Sequence, residues 1–548
     1  MPPFPNPPNT SAEESFENDL TVLNDPLLNK SHPPPSPPVE FSWRKVTPLL
    51  CLVTLIAYCS GSVITAVAPT IQTVYAREST HNYTYSCSNE ADNDSYECGA
   101  DHDDLYADPC KDASERAQAM AATSDFAKNM LTFFFSAHLG AVTDRYGRKK
   151  MLLFSLILMA LPAVAFALVV HMVSCTESDP SPTNISILTN LVPLYYTVNS
   201  LTGTINFLTL IFACLADLTP PGPRRAVAFG LLLAIFMAGI SCSPIITLLV
   251  YNGDNTTAVN VACFVWIFIV PAWVIFGFFE TVTPAKQFEA RVAHQNEVAS
   301  RPPRSRFHSI FLAPFLSLKV LTRTKLFRIL CTVIIIVEMV NESTQTLLLY
   351  YITTPPLCFT QEDMSVLMVT IGLSGIISQG FLLRPLNKLM GERRLLLFSS
   401  VAGMFHALLY AFADTKALVF AGGLLVCFTL FSLPTVSAIK SNNAGEAEQG
   451  QIQGAVYAVK SLAGAVGPTM FRFIYDWTKD GPVPGAMWLF GAALYVVSCG
   501  VIFLLPEKEA NSKYHHAERE TEEEEEVLNR SKMVRFAEDE GVRESSVV

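Results

Sequence analysis

The sequence predicts an all-α membrane protein with twelve transmembrane helices in two halves of six, and three observations lead to this prediction. The chain has 548 residues, of which 50% are hydrophobic and only 16% are charged, whereas a soluble domain has about 25% charged residues. Apolar runs of about 20 residues, the length that crosses a bilayer, recur along the chain. A long basic segment separates the first six runs from the last six.

The predicted spans divide the chain into five segments. The first six spans are 46–74, 118–139, 151–173, 191–215, 226–251 and 259–279, and the last six are 327–351, 364–386, 395–413, 417–439, 452–474 and 487–505. The segments are an N-terminal tail 1–45, a first half 46–279, a central loop 280–325, a second half 326–505 and a C-terminal tail 506–548. Both tails are polar, and the last one is acidic, so we expect them not to bury a core.

The distribution of basic residues predicts the orientation of the helices. Lys and Arg collect on one side, as at Arg44, Lys45 and residues 145–150, and this side faces the cytoplasm by the positive-inside rule. Both tails and the central loop are therefore expected to be cytoplasmic. Sequons on the opposite side agree with this orientation and are candidate glycosylation sites. They are Asn82, Asn93, Asn184 and Asn255.

Cysteines on the predicted outward side are candidates for disulfide bonds, because outward compartments are oxidising. There are five, so one of them would remain unpaired or pair elsewhere. They are Cys87, Cys98, Cys110, Cys175 and Cys358. The outward loop 76–116 is predicted to form a small cap with disulfides and glycans. No metal-binding spacing is present, so we expect no metal and no cofactor.

A charged turn follows the second predicted span. Residues 140–150 read Gly-Ala-Val-Thr-Asp-Arg-Tyr-Gly-Arg-Lys-Lys between two apolar runs. Gly147 permits a tight turn, Asp144 can accept from helix N-terminal N–H groups or pair with a cation, and Arg148 can bridge to a carboxylate on another helix. The motif residues are Gly140, Asp144, Arg145, Gly147, Arg148 and Lys149.

An internal repeat relates the two predicted halves. The fifth span runs from Gly230 to Pro244 and the eleventh from Gly454 to Pro468, with the same Gly-to-Pro spacing and small residues before the proline. Such repeats place a substrate site between the halves, near the middle of the membrane. Small residues allow close helix packing, so the candidates for packing between halves are Gly239, Pro244, Gly454 and Pro468.

These motifs resemble the major facilitator superfamily over about residues 46–505. Residues 140–149 match its G-x-x-x-D-R-x-G-R-[KR] pattern, and residues 216–219, 391–394 and 449–454 resemble the tetracycline-efflux branch, which hippocampus-abundant-transcript-like proteins share. The cysteine-bearing outward loop is similar to that of the proton-coupled folate transporter family, in which a disulfide joins this loop to the one that holds Cys358 here. The first likeness implies efflux antiport and the second uptake symport. The fifth span keeps Pro244 but lacks the later glycines of drug antiporters.

Three ionisable residues lie deep inside predicted spans. An ionisable group at mid-bilayer costs at least about 2.5 kcal/mol, so it is a functional candidate. Glu338 and Glu342 lie one turn apart on the seventh span, and Lys460 lies at a similar depth in the eleventh. One hypothesis is that Glu338 gains and loses a coupling proton, with Lys460 as its counter-ion in one state. The other is a static salt bridge, or a Lys460 side chain that reaches towards the cytoplasm.

The resemblance implies that the first, fourth, seventh and tenth helices line a central cavity. The polar and aromatic candidates there are Tyr195, Tyr196, Asn199, Asn341 and Gln345. They suit an amphipathic or neutral organic solute, although ordinary helix packing explains the tyrosines equally well. Asp125 and Lys128 are spaced for a local pair, and His406 is expected to be a packing residue.

The sequence therefore predicts a proton-coupled secondary transporter of a small organic solute, acting as a monomer in the plasma membrane or a vacuole- or lysosome-like membrane. Uptake symport, efflux antiport and a non-transporting receptor or scaffold with the same fold stay open. No phosphate loop, nucleophile elbow or metal spacing indicates an enzyme. The net charge of −11 comes mostly from the tails and an outer loop, and no basic face indicates nucleic-acid binding.

Overall fold

The computed structural model describes residues 43–81, 87, 109–178, 181–219, 223–250, 255–284, 287–292, 315, 318, 321–443, 449–479, 481 and 483–507. These residues form fourteen α-helical elements, numbered here in chain order. They are α1 Trp43–Thr80, α2 Pro109–Tyr146, α3 Arg148–Ser178, α4 Pro182–Leu201, α5 Phe207–Leu218, α6 Pro223–Val250, α7 Asn255–Phe264, α8 Lys325–Ile352, α9 Gln361–Ile377, α10 Glu392–Ala411, α11 Lys416–Thr429, α12 Ser432–Asn442, α13 Gln449–Thr478 and α14 Ala486–Phe503. Wider π-helical turns continue α7 to Gly277 and α9 into the segment Leu383–Met390.

Within the described ranges, nine helical segments are long and apolar enough to cross a membrane, so the chain is an integral membrane protein. They are Arg44–Thr80, Arg148–Ser178, Thr183–Leu218, Leu231–Val250, Thr256–Gly277, Gln361–Met390, Glu392–Ala411, Lys416–Lys440 and Ala486–Phe503. The remaining predicted spans coincide with α2, α8 and α13. These three long helices carry Asp125, Glu338 and Lys460 within them, and they pack against one another.

Two helices extend into the segment 76–116, which was predicted to be an outward loop. Helix α1 continues to Thr80 and α2 begins at Pro109, so both ends of that predicted loop are helical. Apolar runs mark the part of a helix that lies in hydrocarbon, not the residue at which backbone hydrogen bonding stops. The first turns of α2 are held by protein contacts, since the Ser114 hydroxyl donates to the Tyr350 carbonyl over 2.8 Å.

Two predicted spans are broken in the structure. Between α4 and α5 the chain makes a 3₁₀ turn, after which the Asn206 side chain accepts from the Thr209 N–H and caps α5. Between α11 and α12, the Ser399 and Ser432 hydroxyls donate to the Thr429 carbonyl. Backbone groups freed at a break inside a membrane must find such partners. Hydropathy does not detect these breaks, because it is averaged over about 19 residues. The polar run 199–206 at the first break is averaged with the apolar residues on either side, and the second break lies among apolar residues.

Glycines set the closest approaches between helices. Gly239 lies against Ala57 on α1, within the same predicted half, instead of meeting the second half as expected. The contact between α6 and α9 lies two residues further on, where Gly372 faces Ser241. On α13, Gly467 lies against the Met339 backbone. Pro244 and Pro468 lie inside α6 and α13, and Gly454 lies near the start of α13.

Candidate functional site

A cluster of one cation and two carboxylates lies where α8 meets α13. The Lys460 Nζ is 2.9 Å from Glu338 Oε2 and 3.8 Å from Glu342 Oε1. The side chain of Glu338 is 6% exposed, whereas that of Lys460 is 31% exposed. One ammonium faces two carboxylates, so the ionised cluster has a formal charge of −1. It becomes neutral when either carboxylate binds one proton.

The local sequence explains why these charges meet. Glu338 follows an apolar run on α8 that includes the buried Val333 and Val337, so the helix carries its carboxylate into the protein interior. Gly467 brings the backbone of α13 close to that of α8, and the Lys460 side chain reaches across the shared interface. Sequence reasoning named all three charged residues, but only the packing shows that Lys460 approaches both acids.

Asp125 connects this cluster to α2. The Thr346 hydroxyl on α8 lies 2.5 Å from Asp125 Oδ2 and 2.8 Å from the Glu342 carbonyl oxygen. In the part of the chain that the structure describes, Asp125 forms this contact instead of the expected ion pair with Lys128. The carboxylate of Asp125 is thus linked through one hydroxyl to the backbone of Glu342.

A layer of polar contacts joins the helices at the end where α1 stops and α2 begins. It connects α1, α2 and α4 to α8 and α13. The contacts are Gln72 to Thr353 at 2.6 Å, Ser114 to the Tyr350 carbonyl at 2.8 Å, Tyr196 to Tyr350 at 2.9 Å, Arg472 to Gln118 at 3.2 Å, and the ion pair of Lys479 with Glu115. Lys479 follows Lys460 by 19 residues, about 28 Å along a helix, so this end is closed well away from the ion-pair cluster.

The candidate cavity residues fall into two groups. Tyr195 and Tyr196 are buried, with the Tyr195 ring 5.4 Å from Phe166 and the Tyr196 hydroxyl in the polar layer. Asn199 donates to the Ser124 hydroxyl oxygen over 3.2 Å. These three side chains are engaged with neighbouring helices, as packing residues are.

The other candidates lie on α8 near the ion-pair cluster. The Asn341 side-chain oxygen accepts a long hydrogen bond of 3.5 Å from the Tyr495 hydroxyl. Gln345 is exposed. Asn341 and Gln345 are therefore less engaged with neighbouring helices than the tyrosines of α4.

The charged turn at the other end of the bundle forms a second cluster. Arg148, which is 7% exposed, pairs with Asp144 at 2.7 Å and with Asp217 on α5 at 3.1 Å. Gly147 has φ +92°, a conformation that favours glycine. Lys149 Nζ donates to the Ile275 and Phe278 carbonyls. Asp217 on α5 and the carbonyls of Ile275 and Phe278 thus hold the turn in place from outside it. Gly140 lies in α2, and the Arg145 carbonyl accepts from Arg291 over 3.0 Å.

Sequence reasoning missed Glu280 at this turn. Its two carboxylate oxygens accept from the backbone N–H groups of Arg148 at 2.8 Å and Lys149 at 3.2 Å. It therefore caps the N-terminus of α3, where negative charge is favourable. A Cβ at Gly147 would overlap this carboxylate. The signal in the sequence is a single acid directly after the apolar run of the sixth predicted span.

The outward candidates are only partly within the described residues. Cys87 and Cys110 form a disulfide, and Cys358 is disulfide-bonded as well, whereas Cys175 is free. Asn184 lies in the first turn of α4 and Asn255 begins α7. Asn82, Asn93 and Cys98 lie outside the described residues.

Two further expectations concern packing and metals. His406 is buried, its Nδ1 lies 3.0 Å from the Gly403 carbonyl oxygen, and its ring packs 5.0 Å from that of Tyr410. These contacts are those of a packing residue.

Among the described residues, no group of three or more His, Cys, Asp or Glu side chains is arranged to hold a metal ion.

Comparison with known proteins identifies the family. The family model of the Major Facilitator Superfamily matches residues 50–468 and, in an overlapping match, 357–536. The chain belongs to this superfamily. Its members are transporters that bind small-molecule substrates within a membrane, so the expectation that the chain is not an enzyme is confirmed.

Named relatives agree with the predicted branch. Hippocampus abundant transcript-like protein 1 of Mus musculus is 24% identical over 408 residues, which cover 69% of this chain and 72% of that protein. The class G tetracycline resistance protein of Vibrio anguillarum is 33% identical over 135 residues, or 25% of this chain and 34% of that protein. The crystal structure of the human organic anion transporter MFSD10 (TETRAN) superposes with TM-score 0.55 at 14% identity, covering 84% of this chain and 99% of that one. The last likeness shows the fold alone.

Proposed function

We propose that this superfamily member is a secondary active transporter that moves a small organic solute by alternating access and couples the movement to protons. The observation that carries the proposal is the cluster of Lys460 between Glu338 and Glu342. A buried cluster with one uncompensated negative charge is a natural place to bind one proton, because the proton neutralises it.

Proton binding would change what holds α8 and α13 together. With both acids ionised, Lys460 is shared between them, and separating it from Glu338 leaves a charge uncompensated in a buried position. With Glu338 protonated, Lys460 needs only Glu342 as a partner. The Thr346 hydroxyl on the same helix lies against Asp125 on α2 and against the main-chain carbonyl of Glu342. A movement of α8 relative to α13 would therefore also change a contact between the predicted first and second halves.

We further infer twelve spans in two halves, 46–279 and 326–505, with both tails in the cytoplasm. Under this orientation the polar layer from Gln72–Thr353 to Lys479–Glu115 lies at the outer end. Its closure supports an inward-facing state. Alternating access requires that these contacts separate when the site opens outwards.

The neighbourhood of Glu342 favours a solute without strong negative charge. The ionised cluster already has a net charge of −1, so an anion would be repelled unless a proton accompanied it. Asn341 and the exposed Gln345 offer uncharged hydrogen-bonding groups nearby. An amphipathic or neutral organic solute fits this set best.

The second candidate is uptake by symport instead of efflux by antiport. The disulfide at Cys358 supports it, because the resemblance to the folate-transporting family implies a bonded cysteine in this loop. The bond between Cys87 and Cys110 lies within the first outward loop and does not bear on the choice. A non-transporting receptor or scaffold is disfavoured by the intact Asp144–Arg148 pair and the Glu338 cluster. The plasma membrane and a vacuole- or lysosome-like membrane both suit glycosylated outward loops, and we propose a functional monomer.

The test is solute and proton flux in proteoliposomes that contain the full chain. A panel of amphipathic solutes is presented with and without a pH gradient, while a trapped dye reports internal pH. We expect Glu338→Gln to abolish solute-driven proton movement, and Glu362→Gln, at an exposed acid on α9, to leave it unchanged. Protons moving with the solute indicate symport, and protons moving against it indicate antiport. Undiminished coupling in Glu338→Gln contradicts the proposed role of the cluster.

A further inference from the structure

Lys128 lies at the middle of α2, in the membrane interior. It is 19 residues from Pro109 and 18 from Tyr146, where α2 begins and ends, so it is about 27 Å or more from either end. Half of the hydrocarbon core is about 15 Å thick. A lysine side chain is shorter than this, so the ammonium cannot reach either membrane surface. A charge in this position is costly and marks a functional site.

The Lys128 ammonium is accessible on the inner face of α2. It has no hydrogen-bond or ion-pair partner in the part of the chain that the structure describes. The side chain is half-buried, and Nζ is not one of the buried polar atoms that lack a partner, so it reaches open space. The exposed residues Ala119, Thr123 and Phe126 lie about 140–180° away around the helix. The open space at Lys128 is therefore inside the bundle.

Other helices enclose this level of α2. Next to Lys128, the Asn129 side chain lies against Gly464 on α13. The 3₁₀ turn after α4 comes so close that a Cβ at Gly203 would overlap the Lys128 carbonyl. On α8, Glu342 is near enough for the charge of Lys128 to act on its carboxylate. The ammonium thus lies among helices of both predicted halves.

The charges at this level form two poles. Lys460 lies 2.9 Å from Glu338 and 3.8 Å from Glu342, so Glu342 is the less tightly paired carboxylate. Lys128 is the unpaired cation on the facing helix. Together with Asp125, the two ammoniums and three carboxylates have a formal charge of −1, so a solute with a net negative charge is disfavoured. A solute that carries one charge of each sign fits both poles and stays neutral overall.

We propose that the central site takes a zwitterionic organic solute, whose anionic group binds the Lys128 ammonium and whose cationic group binds Glu342. The inference rests on the proposed function, because it requires that the solute binds between the two halves. Lys128 belongs to the first predicted half and Glu342 to the second. Such a solute therefore bridges α2 and α8, with Asn341 and Gln345 beside it for further hydrogen bonds.

The test measures binding of small probes to the purified full chain in micelles, as the concentration of probe that raises the melting temperature. The probes are phenylalanine, tryptophan and 8-aminooctanoate, which differ in the separation of their charges. Each is compared with its methyl ester, which keeps only the cation, and its N-acetyl derivative, which keeps only the anion. We expect at least one zwitterion to bind the wild type at least about tenfold more tightly than both of its derivatives, because each derivative loses one charged contact.

Variants assign each pole to a residue. Lys128→Met should remove the preference for the zwitterion over its ester, and Lys128→Arg, which keeps the charge, should retain it. Glu342→Gln should remove the preference over the N-acetyl derivative. Thr123→Ala, on the exposed face of α2, is the control and should leave both preferences unchanged.

The outcomes separate this inference from the proposed function. A wild type that binds none of the zwitterions more tightly than their derivatives overturns the inference, and this comparison needs no variant to fold. Unchanged preference in Lys128→Met overturns it as well. Zwitterion binding with the expected preferences, but no movement of the bound probe into proteoliposomes in either direction, contradicts the proposed transport alone. Undiminished proton coupling in Glu338→Gln likewise contradicts only the proposed coupling.

Discussion

Replacing Lys460 with methionine measures how strongly the ion-pair cluster holds α8 and α13 together. Lys460→Met keeps most of the side-chain length and removes the charge. It leaves the buried Glu338 without the cation that now lies 2.9 Å away. Glu342 also loses its partner at 3.8 Å, so two neighbouring carboxylates then repel each other.

The magnitude follows from the burial of the two partners. Breaking a buried ion pair by removing one member costs about 3–5 kcal/mol. Because the Lys460 side chain is 31% exposed, solvent screens part of the interaction, and we expect a loss near the low end, about 3 kcal/mol. Glu338→Gln should cost only about 1 kcal/mol, because Lys460 keeps Glu342 as a partner. In the double variant neither position carries a charge, so its loss should be smaller than the sum of the two.

The assay is equilibrium unfolding in mixed micelles, followed by tryptophan fluorescence. Lys416→Met is the control, because Lys416 pairs with Asp363 at 2.5 Å but is 42% exposed, and such a pair is worth at most about 1 kcal/mol. Strict additivity of the two single variants would refute the pairing of Glu338 with Lys460. So would a Lys460→Met variant no less stable than the control.

Three further variants test other parts of the structure. Gly147→Ala places a Cβ against Glu280 on a residue with φ +92°. It should therefore lower the unfolding free energy by about 2 kcal/mol, measured in the same micelle assay. An unchanged unfolding midpoint would contradict the capping of the turn by Glu280. Lys479→Met removes the ion pair with Glu115. In a Ser114→Cys background, it should raise the rate at which an impermeant maleimide labels the new thiol about tenfold. Equal labelling rates with and without Lys479→Met would show that the polar layer does not close this end. Cys87→Ser removes the disulfide with Cys110, 23 residues away in sequence, and should cost up to about 3 kcal/mol, measured as a lower melting temperature. A melting temperature equal to that of the wild type would count against the bond.

The location of the helices and of the membrane charges follows largely from local sequence. The cost of placing a residue in hydrocarbon depends mainly on that residue, so apolar runs mark the spans, and Glu338, Glu342 and Lys460 stand out without any knowledge of their neighbours. The residues of the charged turn were likewise recognisable, because their spacing along the chain is the signal. The same local reasoning did not find the 3₁₀ turn Thr202–Thr204, because an average over about 19 residues combines the polar run 199–206 with the apolar residues on either side.

The partners of these residues depend on contacts between distant parts of the chain. Glu280 caps α3 from a position 132 residues after Arg148, and Thr346 reaches Asp125 across 221 residues. The sequence marks Glu280 as an acid directly after an apolar run, but it does not indicate the partner of either residue. Asp125 has Lys128 one turn away, which made a local pair the natural expectation, but packing of α2 against α8 offers its carboxylate a hydroxyl instead.

By itself the sequence determined that this chain crosses the membrane repeatedly, that it carries the charged turn of the Major Facilitator Superfamily, and that three ionisable groups lie deep inside it. These properties depend on composition and on spacing within one helix. Only the tertiary structure decided that Lys460 faces two acids and that Glu280 holds the charged turn. Hydrogen bonds and ion pairs act over a few ångströms, so they are set by how the helices pack against one another.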